Sequence, residues 1–263
     1  MTESLLPSSA YRSILEAHVK SEFDGLYAVV TGGVSGIGAA TAKSLLERGC
    51  EVTVTYLTEE EAADFARTPG ADRMTMRKLD VTDSAGVALF FSSLQKLDIL
   101  VNCAGVAGRP EEFDEQGFLR TMDVNLNGTM RCCYAAKDLL VNGGGAIVNI
   151  ASMMSFFGSG TSPGYAASKG AVGQFTRSLA VSWAEHGIRV NALAPGFTDT
   201  PMTKSLQADA QWSTKVLART PMQRWGTPEE MAIGIVFLAS PQSSFVTGVI
   251  LPVDGGYMVK AVS

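Results

Sequence analysis

Short apolar runs rich in β-branched residues alternate along this chain with longer stretches of helical period. The runs Tyr27–Thr31, Glu51–Tyr56, Met74–Asp80, Ile99–Asn102, Ala146–Ala151, Arg189–Ala194 and Val249–Val253 predict strands. The intervals Ile37–Glu47, Glu59–Arg67, Ser84–Gln95, Gly117–Val141, Gly164–Glu185 and Pro228–Ala239 predict helices. Strands separated by helices imply an α/β fold, a doubly wound parallel sheet of about seven strands with helices on both faces. Ile147-Val148-Asn149-Ile150 is apolar enough to lie buried between two helical layers. Ligands in such sheets bind beyond the C-terminal strand ends, which puts the loops that begin at Thr31, Asn102, Ala151 and Ala194 at the expected site.

Length does not by itself fix the domain count, but 263 residues suit one large α/β domain. Residues 1–22 read as an N-terminal extension, with Ile14, Leu15, Val19 and Phe23 on one apolar face; a loosely docked terminus and a subunit contact are both open there. Residues 23–263 read as one domain. With 46% hydrophobic residues the chain can bury a substantial core. A net charge of -5 argues against nucleic acid or an anionic membrane surface as partner. The four cysteines, at 50, 103, 132 and 133, show no metal or disulfide spacing, and reduced thiols in a cytoplasmic protein are expected. No apolar stretch is long enough to span a bilayer, and residues 1–12 lack a signal-peptide core.

Two motifs carry candidate chemistry. Thr31-Gly32-Gly33-Val34-Ser35-Gly36-Ile37-Gly38 joins the first strand to the first helix. Its glycines allow close backbone approach to a pyrophosphate at a helix N-terminus, and no Walker lysine follows. Tyr165 and Lys169 stand four residues apart, one above the other on a helix, so the ammonium can favour the ionised phenol; Ser152 lies a short way upstream. Gly160-Thr161-Ser162-Pro163-Gly164 matches a hydrolase elbow, but no Asp lies between Ser162 and His186, the only later histidine. His186-Gly187 reads instead as a helix C-terminal cation and terminator. Two histidines with no acidic cluster beside them give no metal site.

With these motifs, Leu79-Asp80-Val81, Asn102-Cys103-Ala104-Gly105, Asp123-Val124-Asn125, Ile150-Ala151-Ser152 and Asn191-Ala192-Leu193-Ala194-Pro195-Gly196 follow in one order. From about residue 23 onward the chain resembles the compact, single-domain short-chain dehydrogenase/reductases, which have a Rossmann-type fold. Cys103 stands where that family usually has Asn, and Ala151 where it often has Ser. The resemblance implies hydride transfer between a nicotinamide cofactor and a secondary alcohol or ketone of moderate size. It makes Tyr165 the acid/base, Lys169 its cationic partner and ribose ligand, and Ser152 the donor to the substrate oxygen. Asn125 would hold a water that links Lys169 to solvent. It implies cofactor contacts from Gly32, Ser35, Gly36, Ile37, Gly38, Tyr56, Asp80, Val81, Asn102, Ala104, Gly105, Ile150, Tyr165, Lys169, Pro195, Gly196, Thr198 and Thr200.

Cofactor choice turns on the end of the second strand, where NAD-selective relatives place an acid. This chain has Tyr56 there, followed by Leu57, with Ser35 before the middle glycine. Glu59, Glu60 and Glu61 would repel a 2′-phosphate, and NAD is preferred to NADP; Thr58 and Glu61 also make a capping box. Met153, Met154, Phe156, Phe157, Phe197, Met202 and Trp212 are candidates for an apolar substrate pocket, with Arg109 a candidate for an acidic substrate group. Residues 197–227, chiefly Pro201–Thr227, are expected to form a substrate lid, a connecting helix pair being the alternative. Ala166, Ala167, Gly170, Ala171 and Gly173 fit the helix pairing of a homotetramer or homodimer. A 3-oxoacyl-carrier-protein reductase shares every motif, and a non-catalytic nucleotide-binding regulator is a further alternative.

Overall fold

The computed structural model describes residues 22–107, 110–141 and 143–260. Expectations for the N-terminal extension before Glu22 and for Arg109 lie outside the described residues.

Seven strands form a single sheet: β1 Tyr27–Thr31, β2 Glu51–Tyr56, β3 Thr75–Lys78, β4 Ile99–Asn102, β5 Ala146–Ile150, β6 Arg189–Pro195 and β7 Ile250–Val253. Their order across the sheet is β3-β2-β1-β4-β5-β6-β7, and every pair is parallel. The order reverses between β1 and β4, which opens a crevice at their C-terminal ends.

Successive residues of the central strands face opposite layers. Val30, Val101 and Val148 pack with Leu45 of α1 (Gly36–Leu46) and Ile235 and Leu238 of α9 (Pro228–Ala239). Their neighbours Val29, Leu100 and Ile147 pack on the other side. There they meet Phe90 and Phe91 of α3 (Ser84–Ser92), Cys132, Cys133 and Leu140 of α5 (Gly128–Val141), and Leu179 and Trp183 of α6 (Pro163–Trp183). Burial on both faces is why these strands read as unbroken apolar runs.

The boundaries depart from expectation where a side chain redirects the backbone. β3 ends at Lys78 because Asp80 turns the chain, its Oδ1 accepting from Thr82 N–H at 2.8 Å. The helix expected over Gly117–Val141 is three pieces. Asp114 caps α4 (Glu115–Met122) by accepting from Gly117 N–H at 2.8 Å, and a π-helical segment, Asp123–Asn127, separates α4 from α5. Arg131 and Asn127 both bond the Asp123 carboxylate there, at 2.8 and 3.0 Å. The remaining helices are α2 (Glu59–Ala66), α7 (Lys204–Ala208) and α8 (Ala210–Arg219). Among the described residues no helix is long and apolar enough to cross a membrane, and all four cysteines are free thiols.

Candidate active site

A cavity of about 970 Å³ lies over the C-terminal ends of the strands. The glycine turn forms one wall. Gly32 adopts φ 60° and Gly36 φ 49°, backbone that disfavours side chains, and a Cβ at Gly38 would stand 2.3 Å from the Gly32 carbonyl. A Cβ at Gly32 would come within 2.9 Å of Ala104 Cα, so the turn and the loop after β4 touch only because glycine is there. Ser35, at the N-cap of α1, makes no side-chain bond to the first turn of that helix, and no acid occupies the turn. Ser35, Gly36, Ile37 and Gly38 line the cavity with those amides open, as a pyrophosphate requires.

At the other end stand Tyr165, Lys169 and Ser152. Lys169 Nζ lies 5.7 Å from the Tyr165 ring centre and donates to the Ile150 carbonyl at 2.7 Å. It is 5% exposed, and burial pulls its pKa down to about 8 against a smaller opposing effect from Cys103. Ser152 Oγ accepts from Met154 N–H at 3.2 Å, which leaves its own proton for donation. Ser155 fixes the same turn, accepting from Ser152 N–H at 3.2 Å and donating to the Lys169 carbonyl at 2.7 Å.

Most residues named from the sequence meet on this one surface. Gly32, Ser35, Gly36, Ile37, Gly38, Tyr56, Asp80, Val81, Ala104, Gly105, Ile150, Ser152, Tyr165, Lys169, Pro195, Gly196, Thr198 and Thr200 all line the cavity. Asn102 and Asn125 stand behind it. Asn102 is buried at the end of β4 and donates to Asn149 Oδ1 at 2.9 Å, and Asn149 donates to Thr176 at 3.0 Å. Its polar group faces the α6 layer because the strand pleat turns it away from the cofactor side. Asn125 sits in the π-helical segment, fully buried. Its Oδ1 accepts from Val106 N–H at 2.8 Å, and its Nδ2 donates to the Val106 carbonyl at 2.9 Å and to Ser168 Oγ at 3.0 Å. Its own carbonyl accepts from Thr129 Oγ1 at 2.8 Å. The side chain therefore grips the loop after β4.

The expected apolar pocket divides. Met202 lines the cavity, whereas Met153 is core and Phe156 is exposed. Phe197 packs edge-on against Trp212, Trp225 and Tyr257 at 5.3–5.6 Å, Phe157 stacks on Tyr257, and Arg219 lies over Tyr257 at 4.4 Å. These rings tie the 197–227 segment to the C-terminal segment; they do not line the cavity. Ser162 of the hydrolase-like motif is buried at the N-cap of α6, and Gly187 ends the turn after that helix at φ 74°.

Sequence reasoning missed Glu112. This buried carboxylate accepts from Tyr165 N–H at 2.8 Å and from Thr121 Oγ1 at 3.4 Å, and so caps the first turn of α6 that Ser162 leaves uncapped. The contact spans 53 residues, so no local motif announces it. Val106, Leu119, Arg120 and Thr203 on the cavity wall were equally silent in the sequence.

A family model described as enoyl-(acyl carrier protein) reductase matches residues 32–258. The chain is 42% identical over 241 residues to cis-4-hydroxycyclohexanecarboxylate dehydrogenase of Sinomonas cyclohexanicum, covering 88% of this chain and 95% of that protein. It is 42% identical over 250 residues to galactitol 2-dehydrogenase of Rhizobium johnstonii, covering 90% and 97%. A crystal structure of gluconate 5-dehydrogenase from Burkholderia cenocepacia, in complex with NADP and tartrate, superposes with a TM-score of 0.86 at 35% identity, covering 93% of this chain and all of that one. With the Tyr165, Lys169 and Ser152 cluster facing the same cavity as the glycine turn, the chain belongs to the short-chain dehydrogenase/reductase family and is an NAD(P)-dependent enzyme acting on a CH–OH group.

Proposed function

We propose that this enzyme oxidises a secondary hydroxyl of a small polyol or hydroxy acid, prefers NAD, and works as a cytoplasmic homotetramer. The observation that carries the catalytic reading is the placement of Tyr165, Lys169 and Ser152 on one cavity wall, continuous with the open amides of α1. The substrate class rests on relatives that are dehydrogenases of a hydroxycyclohexanecarboxylate and of galactitol. NAD is favoured because neither Tyr56 nor Leu57, at the end of β2, offers a cation to a 2′-phosphate.

The glycine turn and α1 would hold the pyrophosphate, Tyr56 and Asp80 would stand at the adenosine, and Lys169 would meet the nicotinamide ribose. The bound nicotinamide supplies the hydride acceptor. In oxidation, Tyr165 as phenolate takes the substrate hydroxyl proton while the adjacent carbon loses hydride. In reduction its phenol returns that proton to the developing alkoxide. Ser152 donates to the same oxygen and stabilises its charge. The Lys169 ammonium presents positive charge toward the phenolate. Asn125 acts by positioning Val106 and Ser168, and Glu112 by holding the turn that carries Tyr165.

Tyr165→Phe keeps the ring and deletes the ionisable oxygen. Its kcat on the best substrate of an alcohol and hydroxy-acid panel should fall about 10²–10⁴-fold, with cofactor affinity retained. Near-normal turnover would refute the assignment of Tyr165 as the acid/base.

A further inference from the structure

A single side chain of α5 joins that helix to the loop after β3. Arg131 Nη2 donates to Asp123 Oδ1 at 2.8 Å and Nε to Ser84 Oγ at 2.9 Å. Its Nη1 makes longer contacts with the Val81 carbonyl at 3.3 Å and the Asp123 carbonyl at 3.4 Å. The Arg131 side chain is 19% exposed, so this fork is largely withdrawn from water. Helix and loop approach closely because Gly128 has no side chain: a Cβ there would stand 2.7 Å from Val81 Cγ2. The loop is also tied within itself. Asp80 Oδ1 accepts from Thr82 N–H at 2.8 Å and from Thr82 Oγ1 at 2.7 Å, and Asp83 caps α3 by accepting from Ala85 N–H at 3.0 Å. Val81, Thr82, Asp123 and Asn127 line the cavity, while Arg131 stands behind them.

We infer that Arg131 is a positioning residue for the adenosine half of the cofactor. It locks the loop after β3 against the Asp123–Asn127 segment, so that two sides of the adenine site are set before the dinucleotide arrives. The inference rests on the cofactor placement proposed above, which puts the adenosine beside Asp80. The bonds to Ser84 and Val81 span 47 and 50 residues, so no local turn could hold the two sides at a fixed spacing. A guanidinium suits the task, being planar, permanently charged and rich in donors. Binding surfaces ordered in advance cost less to order when the ligand binds. The catalytic cluster is held by other contacts: Asn125 bonds Val106 and Ser168, Glu112 bonds Tyr165 N–H, and Lys169 bonds the Ile150 carbonyl. Loss of Arg131 therefore acts on cofactor affinity and not on the transfer of proton or hydride.

The test compares wild type with Arg131→Met, Arg131→Lys and Thr82→Trp. For each, calorimetry gives the dissociation constant of ADP-ribose, which carries the adenosine half and no nicotinamide. Steady-state kinetics give KM for the dinucleotide and kcat at its saturation. Methionine keeps an apolar stem and removes every donor. Arg131→Met should weaken ADP-ribose about tenfold, the scale of hydrogen bonds to a charged group. KM should rise in proportion while kcat changes little. Arg131→Lys keeps a charge beside Asp123 but, as a point charge, cannot serve Ser84 and Val81 together, and should recover only part of the affinity. It carries the test alone if Arg131→Met does not fold. Thr82→Trp puts an indole into the same part of the cavity and should weaken ADP-ribose with Arg131 intact. Unchanged ADP-ribose affinity in Arg131→Met, with Thr82→Trp impaired, overturns the inference and leaves the cofactor placement standing. Full affinity in Arg131→Lys also overturns it, since charge alone would then suffice. So does a fall in kcat as large as the rise in KM, because the damage would reach beyond the adenosine end. Unchanged affinity in Thr82→Trp would overturn the placement, and the inference with it.

Discussion

Lys169 shows how one buried cation ties folding to chemistry. Its ammonium is held at about pKa 8 by burial, while an unfolded lysine keeps its proton up to the ordinary 10.5. Below both values the folded protein carries a desolvated charge, which costs stability. Between them the unfolded chain binds more protons than the folded one, so this contribution to stability rises with pH. Lys169→Met removes the titration. In urea denaturation of the cofactor-free protein, the stability of wild type relative to Lys169→Met should therefore increase from about pH 8 towards 10.5. A difference that stays flat would show that Lys169 titrates as a solvated lysine. The four-residue spacing of Tyr165 and Lys169 was legible because it is local to one helix. Glu112, Val106 and Arg120 were not, because each reaches the site by tertiary contact alone.

Helix ends follow the local code closely. Thr58 with Glu61 and Thr227 with Glu230 form the capping boxes that their spacing encodes, and Gly187 provides the left-handed stop after α6. The 197–227 segment contains two short helices, α7 and α8, and reaches the cavity through Met202 and Thr203. It is tethered by Phe197 and Arg219 packing on Tyr257, and braced internally by Trp225 Nε1–H donating to Ser213 Oγ at 3.2 Å. If it closes over substrate, amide hydrogens of α7 and α8 should exchange faster than those of β4 and β5 in the free enzyme. Cofactor plus substrate should slow them. Equal, strong protection in both states would leave two connecting helices and no lid.

At the scale of the molecule, the proposed tetramer draws on the outer faces of α5 and α6. Tyr134 is 56% exposed and Val181 83% exposed, and Tyr134 packs against Phe175 and Trp183. Of the small residues expected at a subunit contact, Gly173 is taken up internally, since a Cβ there would meet Ile250 at 2.7 Å. Gly170 has open space before it and Ala167 is exposed, so these two stay available to a partner. Light scattering coupled to gel filtration should give a tetramer for wild type. Val181→Glu should give a smaller species, because an unpaired charge buried in an interface costs roughly 3–5 kcal/mol. A monomeric wild type would sink the assembly proposal.

The sequence by itself determined the alternation of strands and helices, the glycine turn, the Tyr165–Lys169 pair and the capping boxes of α2 and α9, because each is set within a few residues by backbone preference or side-chain spacing. Tertiary structure decided the rest. It halted β3 near Asp80 and broke the long helix at Asn125, where the segment must grip Val106 as well as continue along the sheet. It turned Asn102 away from the cavity, tied Phe197 to Tyr257 of the C-terminal segment, and set Glu112 under Tyr165. It also brought Glu61, a helix cap in the sequence, onto the cavity wall. Local patterns record what a segment prefers; which of its faces meets a neighbour far along the chain is fixed only when the sheet closes and the helices pack.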